Sequence, residues 1–184
     1  MSDSNPNSGE TLATAGRSDA KNLEKDLIDL VQGNQTVLLA TCDPNGRPDS
    51  SYAPFWLEDG SFHVYISSLA KHTSNIKRTL SASLMVIEDE AAASHIFARK
   101  RVTWACDASL IERDSERFGE VIHSLLGKYG SIMDTLKDMQ DFHLFRLDPS
   151  LGRLVLGFGA AFAVQGWSVK SHREGGSGHQ LRKS

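Results

Sequence analysis

The longest alternation of apolar and polar residues lies between Phe97 and Glu112 and reads FARKRVTWACDASLIE. Side chains alternate between the two faces of a strand, so this period-two pattern predicts one long strand. It exceeds the usual length of about five or six residues, and we expect it to cross from one region of a sheet to another. Its apolar face comprises Val102, Trp104, Cys106, Ala108 and Leu110.

Shorter patterns predict the other elements. Two long amphipathic patterns indicate helices, one from Asp19 to Gln32 and one that is capped by Asp114 and ends at Gly130. Two short helices are expected near Ile76–Leu80 and Ile132–Met139. Strands are predicted at Thr36–Cys42, Ser50–Phe55, Ser61–Ser67, Ser83–Ile87 and Ala161–Val164, with His63 facing outward.

Turn residues predict how these strands connect. Asp148-Pro149-Ser150-Leu151-Gly152 reads as the turn of a hairpin between Phe142–Leu147 and Arg153–Gly157. The acidic segment after Ile87 reads as a solvated helical link to the long strand. Short connections between many strands, with helices outside, predict an α+β chain built around a closed or nearly closed antiparallel barrel.

Both chain ends are short of large apolar residues. We expect residues 1–18 to form a disordered tail, residues 19–166 to form one domain, and residues 167–184 to form a flexible tail.

Composition excludes several functions. The net charge of −3, from 20 basic and 23 acidic side chains, gives no indication of nucleic-acid binding. No apolar run is long enough for membrane insertion, and no charged-then-apolar start marks a signal peptide, so we expect a cytoplasmic protein. Cys42 and Cys106 both lie in predicted strands and are expected to be buried reduced thiols.

Two segments offer groups that could bind an anion. Arg99, Lys100 and Arg101 begin the polar face of the long strand, where they form either a solvated strand start or a phosphate or carboxylate site. In LAKHTSN, the side chains of Thr73 and Asn75 either cap a helix or help its N–H groups to hold an anion. The residues alone leave both alternatives open. The sequence contains no Ser-His-Asp order with an elbow glycine, no phosphate loop and no paired histidines at metal spacing.

Several motifs together resemble one family. They are TVLLATCDPNGRPDSSYAPF, LAKHTSNI, IEDE, FARKRVTWACDASLIERDSE, QDFHLFRL and LVLGFGAAFAVQG, in this order between Asn34 and Gly166. The chain thereby resembles the pyridoxamine-phosphate-oxidase-like split barrels, and among them the haem-utilisation branch of the HutZ and HugZ type. The resemblance implies a six-stranded Greek-key split barrel that forms a homodimer, with ligand sites at the subunit interface.

The resemblance also implies the cofactor and its residues. Some members of the superfamily bind FMN, whereas the haem-utilisation branch binds haem through a histidine of a C-terminal loop. In this chain GGSGHQLRK resembles that loop, which makes His179 the axial-ligand candidate, with His172 as a competing imidazole. Asp141 matches the carboxylate that hydrogen-bonds the ligand histidine across the dimer. Candidate contacts to the haem propionates are Arg99, Lys100, Arg101 and Lys71, and His72 could line the same pocket or face water.

Three functions follow from this resemblance. The first is oxidative haem degradation that recovers iron and requires an electron donor. The second is haem carriage or storage without chemistry, and the third is an FMN-dependent oxidoreductase. A carboxylate on the ligand histidine makes the imidazole more electron-donating, so Asp141 favours the enzyme over the carrier. The tail histidine favours haem over FMN, because FMN needs no axial ligand.

Overall fold

The protein folds into one antiparallel sheet with helices on its outside. The computed structural model describes residues 8–173, and their side chains between residues 19 and 170. The elements are α1 (Ser8–Gln32), β1 (Thr36–Cys42), β2 (Pro48–Pro54), β3 (Trp56–Glu58), β4 (Ser61–Ser67), α2 (Lys71–Thr79), β5 (Ser81–Ile87), a 3₁₀ turn (Ile96–Ala98), β6 (Arg101–Ile111), α3 (Glu116–Tyr129), α4 (Ile132–Leu136), β7 (Phe142–Gly157), β8 (Ala160–Gln165) and β9 (Ser168–Arg173).

The sheet has nine strands rather than six. Its order is β2-β1-β5-β6-β7-β4-β3, and β8 adds to β7 and β9 to β8, all antiparallel. The α+β class and the antiparallel sheet with flanking helices are therefore confirmed. β1 and β4 have the predicted bounds, and Val102, Trp104, Cys106 and Ala108 of β6 are buried as the alternation predicted.

Four aromatic rings form the centre of the core. The Phe62 ring lies 5.1 Å from Phe55, 5.7 Å from Trp104 and 5.9 Å from Trp167, between ring centroids. Phe55 lies between β2 and β3, which are the two ends of the strand order, whereas Trp104 lies in the central strand β6, so the sheet curls around these rings. Large rings bury much apolar area and prefer such tilted or offset contacts, which makes this cluster a principal source of stability.

The predicted hairpin at Asp148–Gly152 is wrong, because residues Phe142–Gly157 form one continuous strand, β7. The pairing of β7 with β6 shifts register between Trp104 and Cys106, and this irregularity accommodates the turn-forming residues without a reversal. Gly152 is needed because β7 and β6 approach each other closely at this position. A Cβ there would lie 2.3 Å from the carbonyl oxygen of Thr103 and 2.6 Å from Cδ1 of Trp104.

The C-terminal segment is ordered further than the sequence indicated. Residues Ser168–Arg173 form β9, and the Trp167 indole donates a hydrogen bond of 2.7 Å to the Gly60 carbonyl. Val169 is buried, and Ser168 Oγ donates to Glu24 of α1 at 3.1 Å. One tryptophan and one valine thus anchor a segment whose composition predicted flexibility.

Three local predictions also need correction. α1 begins at Ser8 instead of Asp19. The segment 88–95 forms turns rather than a helix, because Asp89 Oδ1 accepts the Ala91 N–H at 2.8 Å. Cys106 is buried, which raises its thiol pKa to about 12, but Cys42 is exposed on the outer face of β1.

His63 is buried instead of facing outward. Its side chain is 1% exposed, and neither ring nitrogen has a hydrogen-bond partner among the described residues. The face of β4 that carries His63 is covered by α3. The alternation of residues therefore predicted correctly which face His63 lies on, but not that this face is buried. Desolvation lowers the His63 pKa, and the guanidinium of Arg117 lowers it further.

Replacing Gly152 with alanine should destabilise the fold. The new methyl group would press on the β6 backbone, and overpacking of this kind costs about 1–3 kcal/mol. Urea denaturation would measure the free energy of unfolding. Gly127→Ala in α3 is the matched control, since a Cβ there meets no atom within 4 Å. This variant should raise the free energy of unfolding by about 0.5–1 kcal/mol. An unchanged urea midpoint for Gly152→Ala would contradict the close β6–β7 contact.

Candidate functional site

The start of α2 carries four of the predicted site residues, and three of them are bonded into the fold. His72 Nδ1 lies 2.7 Å from Ser51 Oγ of β2, and Asn75 Nδ2 donates to Thr41 Oγ1 of β1 at 2.9 Å. Thr73 Oγ1 donates to the Ser67 carbonyl at 2.6 Å. All three are buried, and burial lowers the His72 pKa. Their polar atoms hold α2 against the sheet, and none caps the helix, whose N-cap is Ala70.

Lys71 is exposed and lines a cleft between α2 and the β1–β2 turn. Arg47 and Arg78 add two further cations to this cleft, beside Ser74 and Asn75, and Asp49 is among its acidic members. Three cations and several hydrogen-bond donors suit a carboxylate or a phosphate group. Lys71 stays a predicted anion contact, with Arg47 and Arg78 in the same cleft.

Asp141 lies directly against the turn that begins α2. Its Oδ2 accepts a hydrogen bond of 2.7 Å from Ser67 Oγ, and its backbone carbonyl accepts one of 2.7 Å from the Ser68 N–H. Ser67 Oγ also accepts from the Leu69 N–H at 3.1 Å. Asp141 Oδ1 has no partner among the described side chains, so this half-buried carboxylate keeps one oxygen available for a donor.

Arg113 holds the segment that presents Asp141. Its guanidinium donates to the carbonyls of Lys137 at 2.9 Å, Met139 at 2.7 Å and Phe142 at 2.9 Å. It also donates to the Tyr65 hydroxyl at 3.2 Å. A planar fork of five donors is well suited to several carbonyls of one loop, so Arg113 sets the backbone on both sides of Asp141.

His143 is a second imidazole near Asp141. Its Nε2 lies 2.7 Å from Ser68 Oγ and 2.8 Å from Lys77 Nζ. Burial lowers the His143 pKa, and the positive charges of Lys77 and Arg113 lower it further. Sequence reasoning missed His143, Arg113 and Ser67. In QDFHLF the two-residue spacing that puts Asp141 and His143 on one face of a strand could have identified the histidine.

Arg99 and Arg101 lie at the opposite end of the sheet. Arg99 donates to the Glu88 carbonyl and forms an ion pair of 2.8 Å with Glu90, so it holds the loop before β6. The Arg101 guanidinium donates to the Arg99 carbonyl at 3.0 Å, the sole side-chain hydrogen bond of Arg101 in the described part of the chain. Arg101 pairs with Ile87, the last residue of β5. The length of β5, about 20 Å, therefore separates Arg101 from the end of the sheet that lies next to α2.

The structure thus divides the predicted residues into two groups. Asp141, His72, Thr73, Asn75 and Lys71 lie together, whereas Arg99 and Arg101 lie apart from them. His179 lies outside the described residues, and for His172 only the backbone of β9 is described. Within the described range, no three metal-binding side chains cluster and no helix is long and apolar enough to cross a membrane.

Comparison with known proteins agrees with this fold. A family model described as pyridoxamine 5'-phosphate oxidase matches residues 23–156, well over half of the 184 residues. The chain therefore belongs to the pyridoxamine 5'-phosphate oxidase family.

Its similarity is specific to one type within that family. Over 144 residues the chain is 44% identical to the curated protein Heme oxygenase HutZ of Vibrio cholerae, covering 78% of this chain and 82% of that protein. A crystal structure of HutZ, described as the heme storage protein of Vibrio cholerae, matches with TM-score 0.70 and 41% identity over 74% of this chain and 97% of the other. A crystal structure of Campylobacter jejuni ChuZ matches with TM-score 0.79 and 32% identity, covering 88% of this chain and 66% of the other. The chain is a HutZ-type member.

Arg113→Ala should destabilise the protein and release the segment 137–142. Three carbonyls and one hydroxyl would lose their donor, and bonds to a charged group contribute about 1.5–3 kcal/mol each before solvent screening. We expect a net loss of about 2–4 kcal/mol in urea denaturation, with faster amide exchange confined first to this segment.

Arg117→Ala is the control, because Arg117 forms ion pairs with Glu58 and Glu120 near the surface of α3. Exposed pairs contribute about 0–1 kcal/mol, so this variant should remain close to the parent. Equal losses for the two arginines would contradict a special role for Arg113.

Proposed function

We propose that this protein binds haem and opens its porphyrin ring oxidatively, which releases the iron. The observation that carries this proposal is the 44% identity to Heme oxygenase HutZ over most of both chains. A second candidate is haem storage or carriage without chemistry, since a solved HutZ is described as a heme storage protein. FMN remains a lesser alternative, supported by the family alone.

The described residues fit the anionic edge of a haem. Arg101 has unused donors, and Lys71, Arg47 and Arg78 form a cationic cleft, so each group could bind a propionate. These cations would also suit the phosphate of FMN. The distinction therefore depends on an axial ligand, which we assign to His179 in GGSGHQLRK with His172 as the competing residue.

Asp141 is the residue that we assign to catalysis. Its free carboxylate oxygen would accept the N–H of the ligand imidazole, and this bond orients the ring and increases its electron donation. When bound, haem supplies a redox-active iron and the ring that is opened. Ser67 and Arg113 keep the carboxylate in position, and Ser67 Oγ keeps its second oxygen occupied.

We further propose a homodimer in which His179 meets Asp141 of the partner subunit. Arg173, the last described residue, pairs with Phe162 near the Arg101 end of the sheet. His179 follows six residues later and could reach at most about 20 Å from it. Asp141 precedes β7 near the other end of β6, which is about 33 Å long. A two-fold axis could bring opposite ends together.

The outer face of the sheet supports this homodimer. Tyr52 is 66% exposed and Leu38 40% exposed, and they pair across β2 and β1. Leu38 also pairs with Met85 of β5, so apolar side chains continue along one row of the sheet. A partner that covered this row would remove apolar surface from water, as obligate dimers of about 2,000 Å² or more do.

Oxidative ring opening needs oxygen and electrons from outside the protein. We propose a separate electron donor, and we place the protein in the cytoplasm, where reduced cofactors can supply that donor. Cys42 and Cys106 are both free thiols, so the described residues form no disulfide that could take part in this electron transfer.

His179→Ala should abolish or severely weaken ferric haem coordination, whereas His172→Ala should leave it nearly intact. A titration with hemin, followed by the Soret absorbance and the ligand-dependent visible bands, measures both variants against the parent. The physical reason is the loss of the axial nitrogen, the strongest single contact to iron. If His179→Ala kept the parental spectrum, the assignment of this ligand would be wrong. A yellow, flavin-like protein as purified would favour FMN.

Mixed dimers should test the shared site and the enzyme proposal together. Asp141→Asn should still bind haem, with affinity lowered by about 10–100-fold at most, but should turn it over slowly with oxygen and a reductant. A dimer of one His179→Ala chain and one Asp141→Asn chain contains one complete site if the two residues meet across the interface. Its turnover should recover to about half of the parental rate per dimer.

Other outcomes would contradict this arrangement. A mixed dimer no more active than the two single variants would place both residues in one subunit. Parental protein that binds hemin but never degrades it would favour storage. A monomer at micromolar concentration in sedimentation would exclude the homodimer itself.

A further inference from the structure

His63 is a buried titratable residue for which the described part of the fold provides no partner. Its side chain lies in β4 and is 1% exposed, and both ring nitrogens lack a hydrogen bond among the described residues. Buried polar atoms are nearly always paired, so this arrangement is rare. A neutral imidazole tolerates it far better than an imidazolium, whose charge would be removed from water without compensation.

A second unpaired polar atom lies beside His63. Trp56 of β3 pairs directly with His63, and its buried indole Nε1 also has no partner among the described residues. Directly opposite residues of an antiparallel pair have Cβ atoms about 4.5–5.5 Å apart, so these two side chains are neighbours. A neutral imidazole can accept the indole N–H, directly or through one water, whereas an imidazolium has no acceptor. This neighbour therefore favours the neutral ring.

The charged groups around His63 also disfavour its protonation. Arg146 of β7 pairs with His63 on its other side, and Arg117 of α3 supplies a second positive charge. Burial lowers the His63 pKa, the two arginines lower it further, and Glu58 of β3 opposes them. Glu58 is not free to compensate a new charge, because it forms an ion pair with Arg117. The other ion pairs of the two arginines are Arg117 with Glu120 at 3.0 Å and Arg146 with Asp148 at 2.8 Å.

α3 is the element through which water can reach this site. β3 and β7 are joined to β4 by strand pairing, whereas α3 is held mainly by side chains. Phe118 and Val121 of α3 pack into the apolar cluster of Tyr65, which lies two residues after His63 on the same face of β4. Water that solvated a protonated His63 would displace these contacts and the ion pair of Arg117.

The same layer supports the segment 137–142, which leads into β7. The Tyr65 hydroxyl donates to the Lys137 carbonyl at 3.3 Å. The Phe118 ring lies edge-on to Tyr65, 6.0 Å between centroids, and 5.0 Å from the Arg113 guanidinium. Tyr65 and Arg113 are both hydrogen-bonded to this segment, so displacement of α3 removes the packing that holds them.

We propose that His63 is an acid-sensitive release for α3: its protonation admits water beneath the helix and frees the segment 137–142 with Asp141 before β6 opens. The inference does not depend on which ligand the protein binds. The stability that neutral His63 contributes is fully present above the pKa of an unfolded histidine, about 6.5. It is lost as the pH falls below that value towards the lower pKa of the folded state.

Urea denaturation between about pH 7.5 and 5.5, at one protein concentration and ionic strength, tests this titration. The unfolding equilibrium constant of the parent should rise by up to about tenfold per pH unit below about pH 6.5 on account of His63. His63→Gln, which stays polar but cannot titrate, and His63→Leu, which is apolar, should both lack this part of the pH dependence. Burial also lowers the pKa of His72 and of His143, but both remain in the variants, so the difference isolates His63.

His123→Gln is the matched control, because His123 is exposed on α3. It should keep the parental pH dependence. Amide exchange, expressed as protection relative to an unstructured chain at each pH, locates the release. Between pH 7.5 and 5.5 we expect the protection of α3 and of segment 137–142 to fall about tenfold more than that of β6 in the parent, but not in His63→Gln.

Three results would overturn the inference. Equal pH dependence of the parent and His63→Gln would show that unfolding does not change the protonation of His63. A flatter pH dependence of His63→Gln, combined with an even loss of protection across the parent, would exclude a release confined to α3. An equal flattening by His123→Gln would assign the effect to the charge of α3 instead of the buried ring. Each measurement is made without haem, so the inference and the proposed function can fail separately.

Discussion

The pairing of β7 along its whole length is the constraint on which the rest of the structure depends. Its first part pairs with β4 and its last part with β8, while both parts pair with β6. Gly152 makes this possible, since a side chain there would collide with β6. Without the continuous strand, the two halves of the sheet could not enclose the same aromatic core of Phe62, Trp104 and Trp167.

The same strand separates the chemical groups of the protein. Asp141 lies just before β7 begins, and Phe158 lies just after it ends. A rigid strand keeps such groups apart within one protomer, which is why we propose that a second subunit completes the site. This geometry connects the proposed homodimer to the proposed haem site. The row formed by the exposed Tyr52 and Leu38 and the half-buried Met85 would provide a surface for that proposed contact.

Hydrogen bonding divides the polar residues by role. His72, Thr73 and Asn75 use their polar atoms inside the fold, and Arg99 holds the loop before β6. A buried polar atom that already has its partner has little capacity left for a ligand. Free donors or acceptors remain on Lys71, Arg101 and Asp141. These three residues are therefore the ones best able to contact a ligand.

The sequence determined what depends on local periodicity: the long strand β6, the bounds of β1 and β4, the stripe of α3, and the family. It did not determine β7, because Asp148-Pro149-Ser150-Leu151-Gly152 has turn chemistry and only pairing with β6 keeps it extended. Burial of His63 and the order of β9 depended on distant partners, α3 and Trp167. The separation of Asp141 from Arg101 and the convergence of Arg113 on three carbonyls were likewise decided by tertiary structure, since these contacts join residues far apart in the chain.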